Sequence, residues 1–271
     1  IVRKNFNADI SGWDVSRVTN MHFMFYFATN FNADISGWDV SRVTNMVSTL
    51  REAKAFNADI SGWDVSRVVN FDRTFNDAWA FNADISHWNV SRVTNMNFMF
   101  EDARNFNADI SGWDVSRVTK AHSMFRHART FNADISNWNV SRVTNMPFMF
   151  YHAYDFNADI SGWDVSRVTS MREMFYKADN FNTDISDWNV SRATDMRSMF
   201  KLASQFTALG LEAWDVGGIT SANFKTMFQF TNNIADCTKR AIYDSWGTVF
   251  HAEYPKWGPS DLCGCGMHGL V

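Results

Sequence analysis

The chain has 271 residues, enough for a large shared core, and its 46% hydrophobic and 20% charged residues are ordinary for a folded protein. Its net charge of −4, from 25 basic and 29 acidic residues, leaves no basic excess for nucleic acid and no polybasic segment for a membrane surface. No apolar run approaches the length of a membrane-spanning helix.

From the first residues onward the chain repeats. Ile1 enters within a unit, the start expected of a processed or trimmed product. The string FNADISGWDVSRVTNM at 6–21 returns at 31–46. Phe stands at 6, 31, 56, 81, 106, 131, 156, 181 and 206, always 25 residues apart, and Trp keeps the same step from 13 to 188. Trp214 is one residue late, so the ninth unit carries an insertion. A period of roughly 20–50 residues marks a solenoid or propeller, and propeller blades need about 40 or more. A unit this short cannot bury its own apolar face, so stacked neighbours must share one core.

Within the first unit the elements follow in order. Asn7 and Asp9 recur before Trp13 and read as turn-fixing residues, since short Asx side chains bond nearby backbone N–H groups. Trp13-x-Val15 has a period of two and predicts a short strand from Trp13 to about Ser16. Met21, Met24, Phe25 and Ala28 fall at i, i+3, i+4 and i+7 and predict a short helix. Asn20 would cap it, as would Asn45, Asn95, Asn145, Ser170 and Asp195, with Lys120 the exception. Pro147 would sit in the first turn of its helix. The expected fold class is therefore an α/β repeat solenoid, a right-handed coil stack with one short parallel strand and one short helix per coil. About nine coils fill residues 1–230, the last irregular, and residues 231–271 form a Cys-containing C-terminal cap. In that cap, residues 236–254 read as a helix followed by a loop, with Trp246, Phe250, Tyr254 and Trp257 covering the last coil. All three cysteines lie there: Cys237 with Cys263 or Cys265 is a candidate disulfide, leaving one cysteine over.

Outward-facing positions form ladders. Beside inward Trp13 and Val15, Asp14 and Ser16 face out, followed by Arg17. Asp14, Asp39, Asp64, Asp114 and Asp164 make one row, and Arg17, Arg42, Arg67, Arg92, Arg117, Arg142, Arg167 (and Arg192) another. The rows read as a self-neutralising solvated ladder or as a candidate binding face for a glycan or protein. Calcium bound through Asp9 and Asp14 is the weaker reading, since the ion needs about six or more oxygens and the Gly-rich calcium-repeat pattern is missing. Otherwise no cofactor is expected. In alternate later units Asp becomes Asn, giving Asn-Val-Ser sequons at Asn89, Asn139 and Asn189, candidate glycosylation sites in a secretory host. The freely varying positions include one slot holding Tyr26, Arg51, Glu101, Arg126, Tyr151 and Tyr176. His127 and His152 share a slot in successive coils and should lie about 5 Å apart, too few ligands for a zinc site. No phosphate loop, nucleophile elbow or His-Glu-x-x-His occurs, and a ladder of equal carboxylates is the opposite of a unique, pKa-tuned site. The chain is thus read as no enzyme.

The spacing Ile10-x-x-Trp13-x-Val15-x-x-Val18 resembles the core of leucine-rich repeats, with Val18 where their asparagine stands. Asn7 and its counterparts are placed to supply an asparagine ladder elsewhere. The wider string FNxDISxWDVSxVTxMxxMFxxA resembles the BspA-like leucine-rich-repeat surface proteins, the 25- or 26-residue repeat of the DUF285 family. This resemblance implies a secreted or cell-surface protein, non-catalytic, serving in interaction or adhesion with a protein or glycan. The alternative is a structural subunit of an extracellular filament, sheath or surface layer, self-associating head to tail.

Overall fold

The computed structural model describes residues 4–258. Residues 6–230 wind into a stack of coils, each 25-residue unit lying against the same positions of the next. Positions are given below by their number in the first coil, 6–30.

The expected apolar residues are buried. From Phe31 to Phe206, the Phe, Ile, Trp, Val and Met or Phe ladders are 0–4% exposed. Successive Phe31-type rings stack 5.8–6.0 Å apart. The Trp rings stack at 6.4–6.5 Å, with planes within 8°. Each indole N–H also donates to an isoleucine carbonyl one coil back: Trp38 to Ile10, Trp63 to Ile35, and so on to Trp188 with Ile160. The Trp row from Trp38 onward is therefore inward, part of the core. Trp13, in the first coil, is the exception and is exposed.

The predicted strand and helix do not form. Among the described residues the repeats contain turns and isolated parallel bridges, Asn20 to Asn45 to Asn70 to Asn95 to Lys120, and Asn145 to Ser170 to Asp195. Around Trp13 the chain turns twice, through Trp13 N–H to Ile10 O and Val18 N–H to Val15 O. From 21 to 28 it runs as overlapping turns. The N–H groups of 21, 23, 25 and 27 donate to the next coil, at Asn45, Val47, Thr49 and Arg51. Those of 24, 26 and 28 donate back to Met21, Phe23 and Phe25. The N–H of 22 goes to the Asn20 side chain at 2.9 Å. Every N–H of the segment is thus satisfied without a helix.

The helical spacing of Met21, Met24, Phe25 and Ala28 was a true signal of burial and a false signal of helix. A helix is about 10 Å across, whereas parallel bridges hold neighbours about 4.8 Å apart. Helices in every coil would splay the stack away from its bridges and Trp ladder. Turns allow all sides of the coil to keep one spacing. Their cost is left-handed backbone at positions 23 and 27 in every coil, from Phe23 (φ 59°) and Phe27 (φ 65°) to Ser198 and Leu202. Pro147 occupies the second residue of such a turn, ahead of Phe148 at φ 58°, where proline's fixed φ belongs.

The asparagines expected as helix caps perform the same chemistry on a turn. Asn45, Asn70 and Asn95 accept the N–H two residues on, at 3.0 Å. Lys120 cannot accept, so His122 N–H takes the Asn97 side chain of the preceding coil instead. Pro147 has no N–H to give, and Asn145 accepts from Thr169 Oγ1. Asn7 differs from the expectation: it fixes no local turn but accepts Asn32 N–H in the next coil, and the ladder continues to Thr207 at 2.7–2.9 Å. This is the asparagine ladder, moved to another corner.

The C-terminal end is closed by α1, Asp236–Glu253, broken at Gly247 (φ 71°, ψ −168°). Ile242, Trp246 and Phe250 are buried under it. Trp246 takes the slot of a tenth ladder tryptophan. It stacks on Trp214 at 6.2 Å and 8°, and donates to Leu211 O at 2.9 Å, as Trp214 does to Ile185 O. Tyr254 and Trp257 pack beside it. Cys237 lies in the first turn of α1 and is not free. Cys263 and Cys265 lie outside the described residues.

Candidate interaction faces

The stack offers two kinds of side surface. The first is uniform. Asp14, Asp39, Asp64, Asp114 and Asp164 are exposed, as are Arg17, Arg42, Arg67, Arg92, Arg117, Arg142, Arg167 and Arg192. The sequence places both rows outward, and so does the structure, on turns where a sheet was expected. The carboxylates are held by their own serines: Ser16 N–H and Oγ–H reach Asp14 at 3.0 and 2.6 Å. Those bonds keep the Asp14 carboxyl below its ordinary range. In Asp39, Asp64 and Asp164 the serine bonds come first and the neighbouring arginine contributes less. Among the described residues, the ion pairs within 4.0 Å all lie elsewhere, so the arginine row is not tied down by the aspartates. The Asp9 row repeats the same serine turn through Ser11. No group of three or more His, Cys, Asp or Glu among the described residues is arranged to hold a metal ion. Asn89, Asn139 and Asn189 accept from Ser91, Ser141 and Ser191 Oγ at 2.7 Å and remain exposed.

The second face is built by positions 22, 23, 26, 27 and 29, where the repeat varies. From sequence, the free variation at 22–23, 26–27 and 29–30 reads either as a solvent face under relaxed constraint or as a tailored recognition surface. The structure shows most of them half-buried against one another. Trp79 is held between Lys54 Nζ, 3.9 Å from a ring centre, and the Arg104 guanidinium at 4.0 Å. Arg73 lies 4.1 Å over Phe98. Glu101 takes Asn76 Nδ2 at 2.8 Å and pairs with Arg126. Asp102 meets His127 Nδ1 at 3.0 Å. Tyr151 stacks on His152 at 4.4 Å and Tyr176 at 4.7 Å, and His152 Nδ1 reaches Tyr154 Oη at 3.2 Å. The expected neighbours His127 and His152 are 5.1 Å apart by ring centres. A surface pocket of about 240 Å³ opens among Phe98, Glu101, His122, Ser123, Arg126 and Phe148, because buried Ser123 stands between two phenylalanines of its ladder.

Burial and neighbours displace the charges here. Burial raises the Asp77 carboxyl, and the charge of Asp102 raises it further. Burial also raises Glu101. Asp102 stays below its ordinary range despite burial, through its bond to His127. Burial, then His127, Lys177, Arg126 and Arg129, pushes His152 down to about 4. Most of these contacts join residues 25 apart; the repeat period placed His127 beside His152, and the departure of these positions from the repeat was the signal for the rest.

The repeat string matches, at residues 2–91, 57–161 and 122–242, a family model described as Mycoplasma protein of unknown function, DUF285. The chain belongs to this family. The family recognised in the repeat string is thereby shown. No curated protein matches the sequence. Among solved structures, similarity is found to a leucine-rich-repeat protein of Leptospira interrogans, at 8% identity and a TM-score of 0.26, covering 75% of this chain and 70% of that one. The TLR13–ssRNA13 complex is similar at 9% and 0.26, covering 71% of this chain and 39% of that chain. The Drosophila Toll–Spatzle complex is similar at 11% and 0.24, covering 75% and 28%. Superpositions this loose carry no argument about shape or ligand, and the coil stack rests on its own hydrogen bonds.

Proposed function

We propose that this chain is a non-catalytic interaction module, displayed outside the cell or on its surface and serving adhesion to a protein or glycan. One observation carries the reading: where the repeat varies most, the side chains form a fixed mosaic of Arg, Tyr, Trp and His. Arg, Tyr and Trp dominate the energetics of protein recognition, and a ladder of turns presents them with little ordering left to do on binding. Family membership supports a repeat protein of this kind. No helix among the described residues is long and apolar enough to cross a membrane. The reading needs no cofactor, since a face of this kind recognises its ligand through its own side chains.

The arginine row is the second surface for a ligand, best suited to an anionic glycan, because its guanidinium groups are exposed and unpaired by the aspartates. End-to-end assembly into a filament, sheath or surface layer is the alternative function. Against it, among the described residues α1 covers the edge of the last coil, with Trp246 stacked on Trp214. The test is binding to glycan and surface-protein arrays by wild type and two double variants, with melting curves as the folding check. Loss in Trp79→Ala/Tyr151→Ala places the ligand on the variable face. Loss in Arg117→Ala/Arg142→Ala places it on the arginine row. A wild type that captures nothing while forming end-to-end rods would refute the module reading in favour of the filament.

A further inference from the structure

Position 27 runs, from coil 1 to coil 8, through Phe27, then Glu52, Asp77 and Asp102, then His127, His152 and Lys177, then Leu202. Three acids precede three basic side chains, and an apolar residue closes each end. The order reverses its sign about the boundary between coils 4 and 5. We propose that the variable face is homophilic: two copies of this chain pair antiparallel across it, about a twofold axis between Asp102 and His127. The inference rests on the variable face being the interaction face, and it names the partner.

A twofold axis lying in the face and perpendicular to the stack keeps each position but reverses coil order. Coil 4 then meets coil 5 of the second copy, coil 3 meets 6, coil 2 meets 7, and coil 1 meets 8. Because every coil has the same spacing, the ladders stay in register over about 34 Å, seven steps of about 4.8 Å. At position 27 this sets Asp102 against His127, Asp77 against His152, Glu52 against Lys177, and Phe27 against Leu202. Each pairing occurs twice, as an isologous interface requires.

Position 26 gives the same answer independently. Glu101 meets Arg126, Asn76 meets Tyr151, Arg51 meets Tyr176, and Tyr26 meets Lys201. The first is an ion pair, the second a hydrogen-bonding pair, and the last two are cation–π pairs. The chain already makes such contacts one coil apart, with Arg126 on Glu101, Arg51 5.3 Å over Tyr26 and Lys201 5.7 Å over Tyr176. At position 23, Phe98 comes opposite Ser123, the floor of the pocket beside the axis. Position 29 carries one repulsive pairing, Arg104 with Arg129. Arg104 already lies over Trp79 and beside Asp102, just as Glu101 and Arg126 already pair within the chain, so the like charges at position 29 set the edge of the interface and positions 26 and 27 its seam. Asp77, burdened first by burial and then by the charge of Asp102, would meet in His152 a neutral imidazole able to hydrogen-bond its carboxyl. The strip is narrow, so the contact belongs at the low end of specific interfaces, on the order of 1,000 Å² in all, with micromolar affinity.

Sedimentation velocity on the full chain tests this. Wild type is expected to dimerise at tens of micromolar in low salt and to dissociate as salt rises, as paired charges require. Glu52→Lys and Lys177→Glu should each weaken the dimer about tenfold or more, because each creates two like-charged pairings. The double variant Glu52→Lys/Lys177→Glu should return to near wild-type affinity. Melting curves check folding, and the salt titration of wild type decides alone if a variant does not fold. A monomer at about 100 μM in low salt, a dimer indifferent to the single reversals, or a double variant as weak as the singles overturns the proposal. If wild type stays monomeric while Trp79→Ala/Tyr151→Ala still loses its array ligand, the homophilic partner is wrong and the interaction face stands.

Discussion

Replacing Trp246 by Ala tests whether α1 acts as a surrogate coil. Trp246 is 5% exposed, stacks on Trp214 at 6.2 Å, and touches Phe224, Phe228 and Phe250 at ring distances of 5.5, 6.1 and 5.0 Å. Truncating a buried aromatic to Ala costs about 3–5 kcal/mol. The lost indole bond adds no orphan, because Leu211 O still accepts Trp214 N–H. A loss of about 4 kcal/mol is therefore expected, and Trp246→Phe should lose about 1–2 kcal/mol through the missing N–H and smaller ring. In a stack where each coil touches only its neighbours, the loss should stay at the end. Urea unfolding gives the magnitude, and hydrogen exchange by mass spectrometry gives the place. Residues 206–258 should exchange faster in Trp246→Ala, while coils 3–6 keep their protection. A cost below about 1 kcal/mol, or exchange raised evenly along the chain, would refute the surrogate-coil argument.

Other consequences are measurable in the same way. With His152 held down to about 4 in the fold, the unfolded histidine, at about 6.5, takes up a proton the folded one refuses. Stability should therefore fall as pH drops from about 6.5 toward 4, by up to one proton in slope, and His152→Gln should flatten urea midpoints over that window. Lys120→Asn restores the side-chain acceptor that its neighbours have at this position, and should raise stability by about 0.5–1 kcal/mol in urea. Gly247→Ala forces a Cβ into φ 71°, ψ −168°, and should cost about 1–3 kcal/mol despite open space around it. Expressed through a eukaryotic secretory pathway, the chain should carry glycans at Asn89, Asn139 and Asn189, all exposed; unchanged mass after amidase treatment would reject this.

Burial was legible in the sequence and backbone path was not, and one physical fact separates them. Periodicity reports which side chains leave water. Ile10, Met21, Phe25 and Ala28 did so as read, and the helix with its covering Trp246 and Phe250 lies where the cap was expected. The same i, i+3, i+4, i+7 spacing is produced by consecutive turns whose N–H groups alternate between their own coil and the next. Nothing within one unit distinguishes those turns from a helix. The constraint is collective: here the 21–28 segment bonds to the next coil and so advances by the ladder's own step, which a helix would exceed. Asn7 was legible as a ladder residue, but its partner, Asn32 N–H 25 residues away, was not, because that bond too lies between coils.

The varied positions show how function can be written on such a frame. Positions 23 and 27 sit in left-handed backbone in every coil whatever the side chain, so the fold does not depend on the identity of the residue there. At position 27 the side chains from Glu52 onward rest half-buried on one another and not in the core, so the core does not dictate the order of charges there. Relaxed constraint alone predicts a scrambled order along position 27. Acids from Glu52 to Asp102 form one block and His127, His152 (held neutral in the fold) and Lys177 a basic one, so three carboxylates lie side by side, an arrangement a lone face should avoid. Blocks of opposite sign at equal distances from one boundary are what a second, reversed copy would stabilise, and the paired order at position 26 follows the same boundary.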